Sequence, residues 1–235
     1  VFSAQGAVLR RLVKASVLVL GAGIVLAGCA PVKFGSAAIV GNHAITIATL
    51  DTDATSLSQN AKPFASLFKL SQAEATQDAL TWLIRFQINE QLAEQAGITV
   101  SPGAAKAAWA QIYDEAKANA ASQGVTNASQ NLILVNAGIP PNLYDEVQRY
   151  AAIDNLYEAM VNGGKVPTTQ SASNAAGAKL AHAQCLAAKS LKIQVNPQFG
   201  RLNYSSYAVV AAASTVTRAQ GPAKKASLAG LAPAC

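Results

Sequence analysis

Four apolar residues, Leu80, Ile84, Ile88 and Leu92, recur at every fourth position, with Leu83 flanking them and Trp82, Phe86 and Ala93 on an adjacent strip. Recurrence at that spacing marks one face of a helix. Ser71-x-x-Glu74 ahead of the run has the form of a capping box, and Gly97 stands where a C-terminal cap is expected. The pattern therefore predicts a helix between Ser71 and Gly97 whose wide apolar face makes it central. Trp82 and Phe86 lie off the main stripe, so they are the first candidates for exposed contacts.

The flanking segments are read in the same way. Ala38-Ile39-Val40 and Ile45-Thr46-Ile47 are β-branched runs separated by Gly41-Asn42-His43-Ala44, which predicts a tight strand-turn-strand unit. Ser56 to Leu70 has a helical pattern broken by Pro63. Ser101-Pro102 pairs an N-cap with proline at the first helical position, and the helix should run from Gly103 to about Ser122. A polar stretch, SQGVTNAS, precedes a short QNLILVNAG segment; its Asn127-Ala128-Ser129 sequon is read as chance. Pro140-Pro141 form a hinge, Asn142 and Asp145 are candidate caps, and a helix follows with Val147, Tyr150, Ile153, Leu156, Tyr157 and Met160. NGGKVPTTQSASNAAG has the Gly, Pro, Ser and Thr content of a linker. Lys179 to Lys189 is alanine-rich and predicts a helix holding Cys185. LKIQVNPQFGRLN predicts a strand entering a turn, YAVVAAASTV fits strand or helix, and 219–235 reads as a tail.

At the N-terminal end the pattern changes. Arg10, Arg11 and Lys14 precede an uncharged segment from Ala15 to Gly28, shorter than the roughly 20 residues of a transmembrane helix. Basic, then apolar, then small is the order of a secretory signal. Leu26-Ala27-Gly28-Cys29 resembles the lipobox of bacterial lipoproteins, in which the cysteine is acylated and becomes the mature N-terminus. An ordinary signal or an uncleaved anchor with an incidental cysteine is the weaker alternative. Two acyl chains, at ~0.8 kcal/mol per buried methylene, make a stable anchor. The expected organisation is a signal peptide (1–28), a lipid-anchored tether (29–36), a helical domain with closing strands (37–203) and a C-terminal strand or helix with a tail (204–235).

Composition then removes some functions. The net charge of +6 overstates the basic balance, because three of the 18 basic residues and none of the 12 acidic ones precede Cys29. That leaves 15 against 12, a weak balance without a Lys/Arg cluster, so nucleic-acid binding has little support and no nucleic-acid partner is expected. Once Cys29 is lipidated, Cys185 and Cys235 remain as an even pair in an oxidising compartment. A bridge between them and two free thiols are both open readings.

The order of these pieces resembles the N-terminal domain of SurA-like and PrsA-like extracytoplasmic foldases, in the actinobacterial lipoprotein form. The phrases that carry the resemblance are AAIVGNHAITIATLD, LIRFQINEQLAEQAGITVS, LVNAGIPPNLYDEVQRYAAIDNLYEAM and VNPQFGRLN. It implies a mainly α fold: a helical lobe closed by a small antiparallel β-sheet from N- and C-terminal strands. Ala37–Val40 or Ile45–Ala48 would then neighbour Ile193–Asn196. In many members a parvulin prolyl isomerase domain is inserted, but only 32 residues separate Met160 from Ile193 here. A domain of typically ~100 residues does not fit there. The resemblance implies the chaperone lobe alone, with no enzymatic activity.

No chemical motif competes with that reading. G-x-S-x-G, G-x-G-x-x-G and Walker-type loops are absent downstream of the signal. His182 and Cys185 stand three apart but lack further ligands, so an exposed histidine and a structural cysteine are the simpler assignment, and His43 is a hairpin residue. Asp51 and Asp53 read as helix caps, and Thr168, Thr169, Ser171 and Ser173 as linker composition. No cofactor or metal is expected. The candidate client-binding residues are Trp82, Phe86, Trp109, Tyr113, Tyr150 and Tyr157, with Tyr144 in the same aromatic set. The expectation is an ATP-independent, membrane-anchored lipoprotein on the outer face of the cytoplasmic membrane, holding unfolded exported polypeptides. An adaptor lipoprotein with one specific protein partner is the alternative.

Overall fold

The computed structural model describes residues 35–211. The sequence's lipobox, signal segment and tail lie outside the described residues. Six α-helices and five short strands follow in the order β1 (Ser36–Val40), β2 (His43–Thr46), α1 (Ile47–Ala61), α2 (Gln72–Ala96), α3 (Pro102–Ser122), α4 (Gln130–Asn136), α5 (Tyr144–Val161), α6 (Gln170–Ser190), β3 (Gln194–Val195), β4 (Arg201–Asn203) and β5 (Ala208–Val210). Single 3₁₀ turns at Lys62–Phe64 and Pro141–Leu143 carry the prolines that end one helix and introduce another. Among the described residues no helix is long and apolar enough to cross a membrane.

The fold is mainly helical with a small antiparallel sheet, as expected. Strands β2, β1 and β3 form that sheet in this order, with Ala38 opposite Val195 and Ile39 opposite Gln194. Ala37–Val40 is thus the strand that meets the C-terminal segment. The β1–β2 loop is only Gly41-Asn42, because His43 already pairs with Val40. Gly41 has φ 59°, and a Cβ there would come within 2.9 Å of Leu191 Cδ2, so glycine serves both the turn and the close approach. A second antiparallel pair, β4–β5, makes the YAVV segment a strand, one of the two readings its sequence allowed, and pairs it with Arg201–Asn203. It docks on α2 through Thr81, whose Oγ1 accepts a 2.8 Å bond from the Val209 amide and donates to the Gln77 carbonyl at 2.7 Å.

Helix α2 has the predicted ends. Ser71 accepts from Glu74 N, the Glu74 carboxylate accepts from Ser71 N, and Gly97 closes the helix at φ 66°. Its Leu80-Ile84-Ile88-Leu92 stripe packs with β1, Ile153 of α5 and Leu180 and Ala187 of α6. Trp82 and Phe86, expected to be exposed, are 8% and 7% accessible and belong to a second core with Trp109, Leu134, Ile139, Leu143 and Val147. The reason is that α2 is covered on two sides, so its off-stripe aromatic strip is buried by α3, α4 and α5.

Other boundaries also move. Helix α1 begins at Ile47, because the Thr46 hydroxyl caps it by accepting from Thr49 N, and β2 stops at Thr46. Asp51 and Asp53 are therefore inside α1 and cap nothing. Asp51 is exposed, and Asp53 is buried and accepts a 2.6 Å bond from Asn142 Nδ2. Asn142 is thereby engaged with α1, and α5 has no side-chain cap. The proposed linker is shorter than expected: Thr169 accepts from Ala172 N and starts α6 at Gln170. Ser129 caps α4 in the same way.

Replacing Thr81 by valine keeps the side-chain shape but leaves the Val209 amide buried without an acceptor. The expected cost is about 1–3 kcal/mol, read as a lower urea midpoint with unchanged far-UV circular dichroism.

Candidate functional site

An open cleft of about 490 Å³ lies among α2, α3, α5, α6 and the β4–β5 turn. One face of α5 forms part of its lining: Val147, Tyr150, Ala151, Asp154 and Glu158 recur at three- and four-residue steps. Trp82, Arg85 and Ile88 come from α2, and Trp109 and Ile112 from α3. Leu180 and Gln184 of α6, Ser206 and Tyr207 of the β4–β5 turn, Glu115 of α3, Ile133 of α4 and Ile139 also line it. The lining is mostly apolar with a few polar groups, as in ligand-binding clefts generally.

A polar hub joins three of these helices. Asn89, 1% accessible, donates from Nδ2 to the Tyr150 carbonyl and to Asp154 Oδ1, each at 3.1 Å. Gln184 donates from Nε2 to Asn89 Oδ1 at 3.1 Å and to Asp154 Oδ1 at 3.0 Å. Each amide nitrogen carries two hydrogens, so both are fully used. Burial dominates at Asp154 and pushes its carboxyl up to about 7; Glu158 nearby adds to the rise, while Asn89, Gln184 and Tyr150 oppose it. Burial, then Asp154, raises the Tyr150 hydroxyl, and burial also raises Glu158.

Arg85 supplies the opposite charge. Its guanidinium carbon sits 5.1 Å from the centre of the Trp82 ring, and Nη2 donates to the Ser206 carbonyl at 2.9 Å. Burial lowers its proton affinity, partly offset by Tyr150 and Asp78. Arg149 and Glu90 form an ion pair elsewhere.

Of the expected aromatic residues, Trp82, Trp109 and Tyr150 reach the cleft lining. Phe86 does not. It packs beneath the cleft, its ring centroid 6.0 Å from Tyr150 and 5.7 Å from Trp82. Tyr113 is half-buried against the second core, stacks on Trp109 at 6.4 Å and donates to the Ala128 carbonyl. Tyr144 meets the edge of Trp109 at 5.6 Å, and Tyr157 packs on the first core. These residues share a core more than they share a surface. Sequence reading missed Arg85, Asn89, Asp154 and Gln184. The available signal was polar residues on helices that the apolar pattern makes central.

The remaining candidates do not converge. His182 is exposed, and Cys185 is disulfide-bonded, which excludes an activated thiol there. Its bonding partner lies outside the described residues, as do Cys29 and Cys235, so the expected pairing with Cys235 is neither supported nor opposed. His43 lines a smaller depression of about 270 Å³ with Glu90, Glu94 and Arg149. Among the described residues no group of three or more His, Cys, Asp or Glu is placed to hold a metal ion.

Asp154 holds its proton more tightly in the fold than in the unfolded chain, where its ordinary value is 3.8. Its contribution to stability is therefore complete below that value and is lost as pH rises through about 7. Asp154→Asn should reduce the fall in urea midpoint between the two. Asp53 and Glu158, raised in the same sense by burial, leave a residual slope.

Comparison of the chain with protein-family models, with curated proteins and with solved structures finds no match in any of the three.

Proposed function

We propose that the helical lobe is a chaperone-like holding module that binds apolar segments of unfolded, exported polypeptides without ATP. The observation that carries this reading is the open, largely apolar cleft bordered by Trp82, Trp109, Ile112, Ile139 and Val147. Burial of apolar surface is non-directional, which suits clients that share hydrophobicity and no sequence. Client side chains enter the cleft while the client backbone stays at its mouth, in contact with water. Binding of this kind needs no bond chemistry.

Anchoring through an acylated Cys29 belongs to the same proposal. It rests on the basic, apolar and small-residue order of 10–29 and on the lipobox resemblance. A tether at the outer face of the cytoplasmic membrane raises the module's local concentration where exported chains emerge. Cys29→Ser should move the protein from the membrane fraction to the soluble fraction, read by immunoblot after fractionation.

The binding reading is tested by aggregation of a chemically unfolded client. Ile112 and Ile133 are half-buried cleft residues, so replacing both by serine changes the lining more than the core. The wild-type chain should suppress light scattering, and the double variant should require several-fold more protein for the same effect. Equal suppression by a correctly folded double variant would remove the cleft from the mechanism, and no suppression by the wild type would end the chaperone reading.

A further inference from the structure

The charge in the cleft is not explained by holding apolar side chains. Arg85 is half-buried in the lining, where burial opposes its charge and Tyr150 and Asp78 favour it. Of the five N–H donors of a guanidinium, described residues accept one hydrogen bond, through the Ser206 carbonyl. The Trp82 face and that carbonyl hold the group in place. The next residue, Tyr207, is also in the lining, and its buried hydroxyl has no hydrogen-bond partner. Tyr207 is further held at φ 47°, a left-handed conformation that a bulky residue rarely adopts. Two underused donor groups, one of them cationic, thus belong to residues that line one apolar cleft.

The other polar groups narrow the ligand. Asn89 spends its amide hydrogens on the Tyr150 carbonyl and Asp154, and Gln184 spends its own on Asn89 and Asp154, so they offer no donor to a polypeptide backbone lying deep in the cleft. Glu115, Asp154 and Glu158 in the same lining disfavour negative charge anywhere but beside Arg85, so a ligand carries no more than the one charge that Arg85 can pair. The volume of about 490 Å³ is in the range of sites for compact organic ligands. A ligand with one charged end and an apolar body satisfies all of these conditions.

We propose that the cleft is a binding site for a small amphiphilic monocarboxylate, whose carboxylate pairs with Arg85 and Tyr207 and whose hydrocarbon body lies against Trp82, Trp109, Ile112 and Val147. A guanidinium matches a carboxylate with two parallel hydrogen bonds, and desolvation in the cleft strengthens the pair. This function goes beyond polypeptide holding and does not depend on it.

The protein carries its own reporter, because its two tryptophans, Trp82 and Trp109, both line the cleft. The full chain is titrated with decanoate below its micelle concentration, following tryptophan fluorescence. Decanol and decyltrimethylammonium serve as controls that keep the hydrocarbon and remove or invert the charge. Decanoate should saturate the signal and bind at least tenfold more tightly than either control. Arg85→Gln should weaken decanoate at least tenfold and leave decanol unchanged. Tyr207→Phe should weaken it several-fold. That variant removes an unpartnered hydroxyl, so it should fold even if Arg85→Gln does not. Equal affinity for decanoate and decanol, or decanoate affinity unchanged in either folded variant, would overturn the proposal. An apolar peptide amide that quenches equally in wild type and Arg85→Gln, with decanoate silent, would also overturn it and leave polypeptide holding in place.

Discussion

The structure depends on how Asn89 is satisfied. This side chain lies on the most central helix at 1% accessibility, where an unpaired amide would cost more than any nearby apolar contact returns. Tyr150 and Asp154 of α5 and Gln184 of α6 complete its hydrogen bonds. Any shift of α5 or α6 along α2 would break several of these bonds together. Apolar packing tolerates sliding, whereas this hub admits one register. The hub therefore positions the helix faces that line the cleft.

Helix α2 has to serve two cores. Its leucine–isoleucine stripe closes the core shared with β1 and α6, and Trp82 and Phe86 close the one shared with α3, α4 and α5. Arg85 lies between these faces, and its charged end reaches the cleft beside Trp82. The cleft thus arises where two cores diverge around one helix. Its polar groups are held by the same bonds that fix the helices, so cleft electrostatics and fold stability are coupled. Asp154 shows this coupling, since the burial that holds the hub together also holds its proton.

Much of the fold was legible in local chemistry. The Ser71 capping box, Gly97, Ser101-Pro102 and the paired prolines act within a few residues of themselves, so each fixed a boundary without help from distant contacts. The boundaries that were misread were also local in origin but carried competing signals. Thr46 belongs to a β-branched run and yet caps α1; Thr169 belongs to a linker-like composition and yet caps α6. In both cases composition argued for one structure and a single hydroxyl, accepting from an amide three residues on, decided for another. The candidate site was less legible. Aromatic residues were visible as a set, but their side of the helix was not.

By itself the sequence determined the six-helix layout in outline, the centrality of α2 and the hairpin at Gly41. These follow from periodicity, caps and turn residues, whose physics is settled over one or two turns of chain. Only the tertiary structure decided that Trp82 and Phe86 are interior, that Arg85 lines a cleft and that Asn89, Asp154 and Gln184 form one network. Asp154 and Gln184 lie 65 and 95 positions from the Asn89 to which they bond. Helical periodicity specifies which side chains share a face, while the choice of neighbour for each face comes from packing all the helices at once.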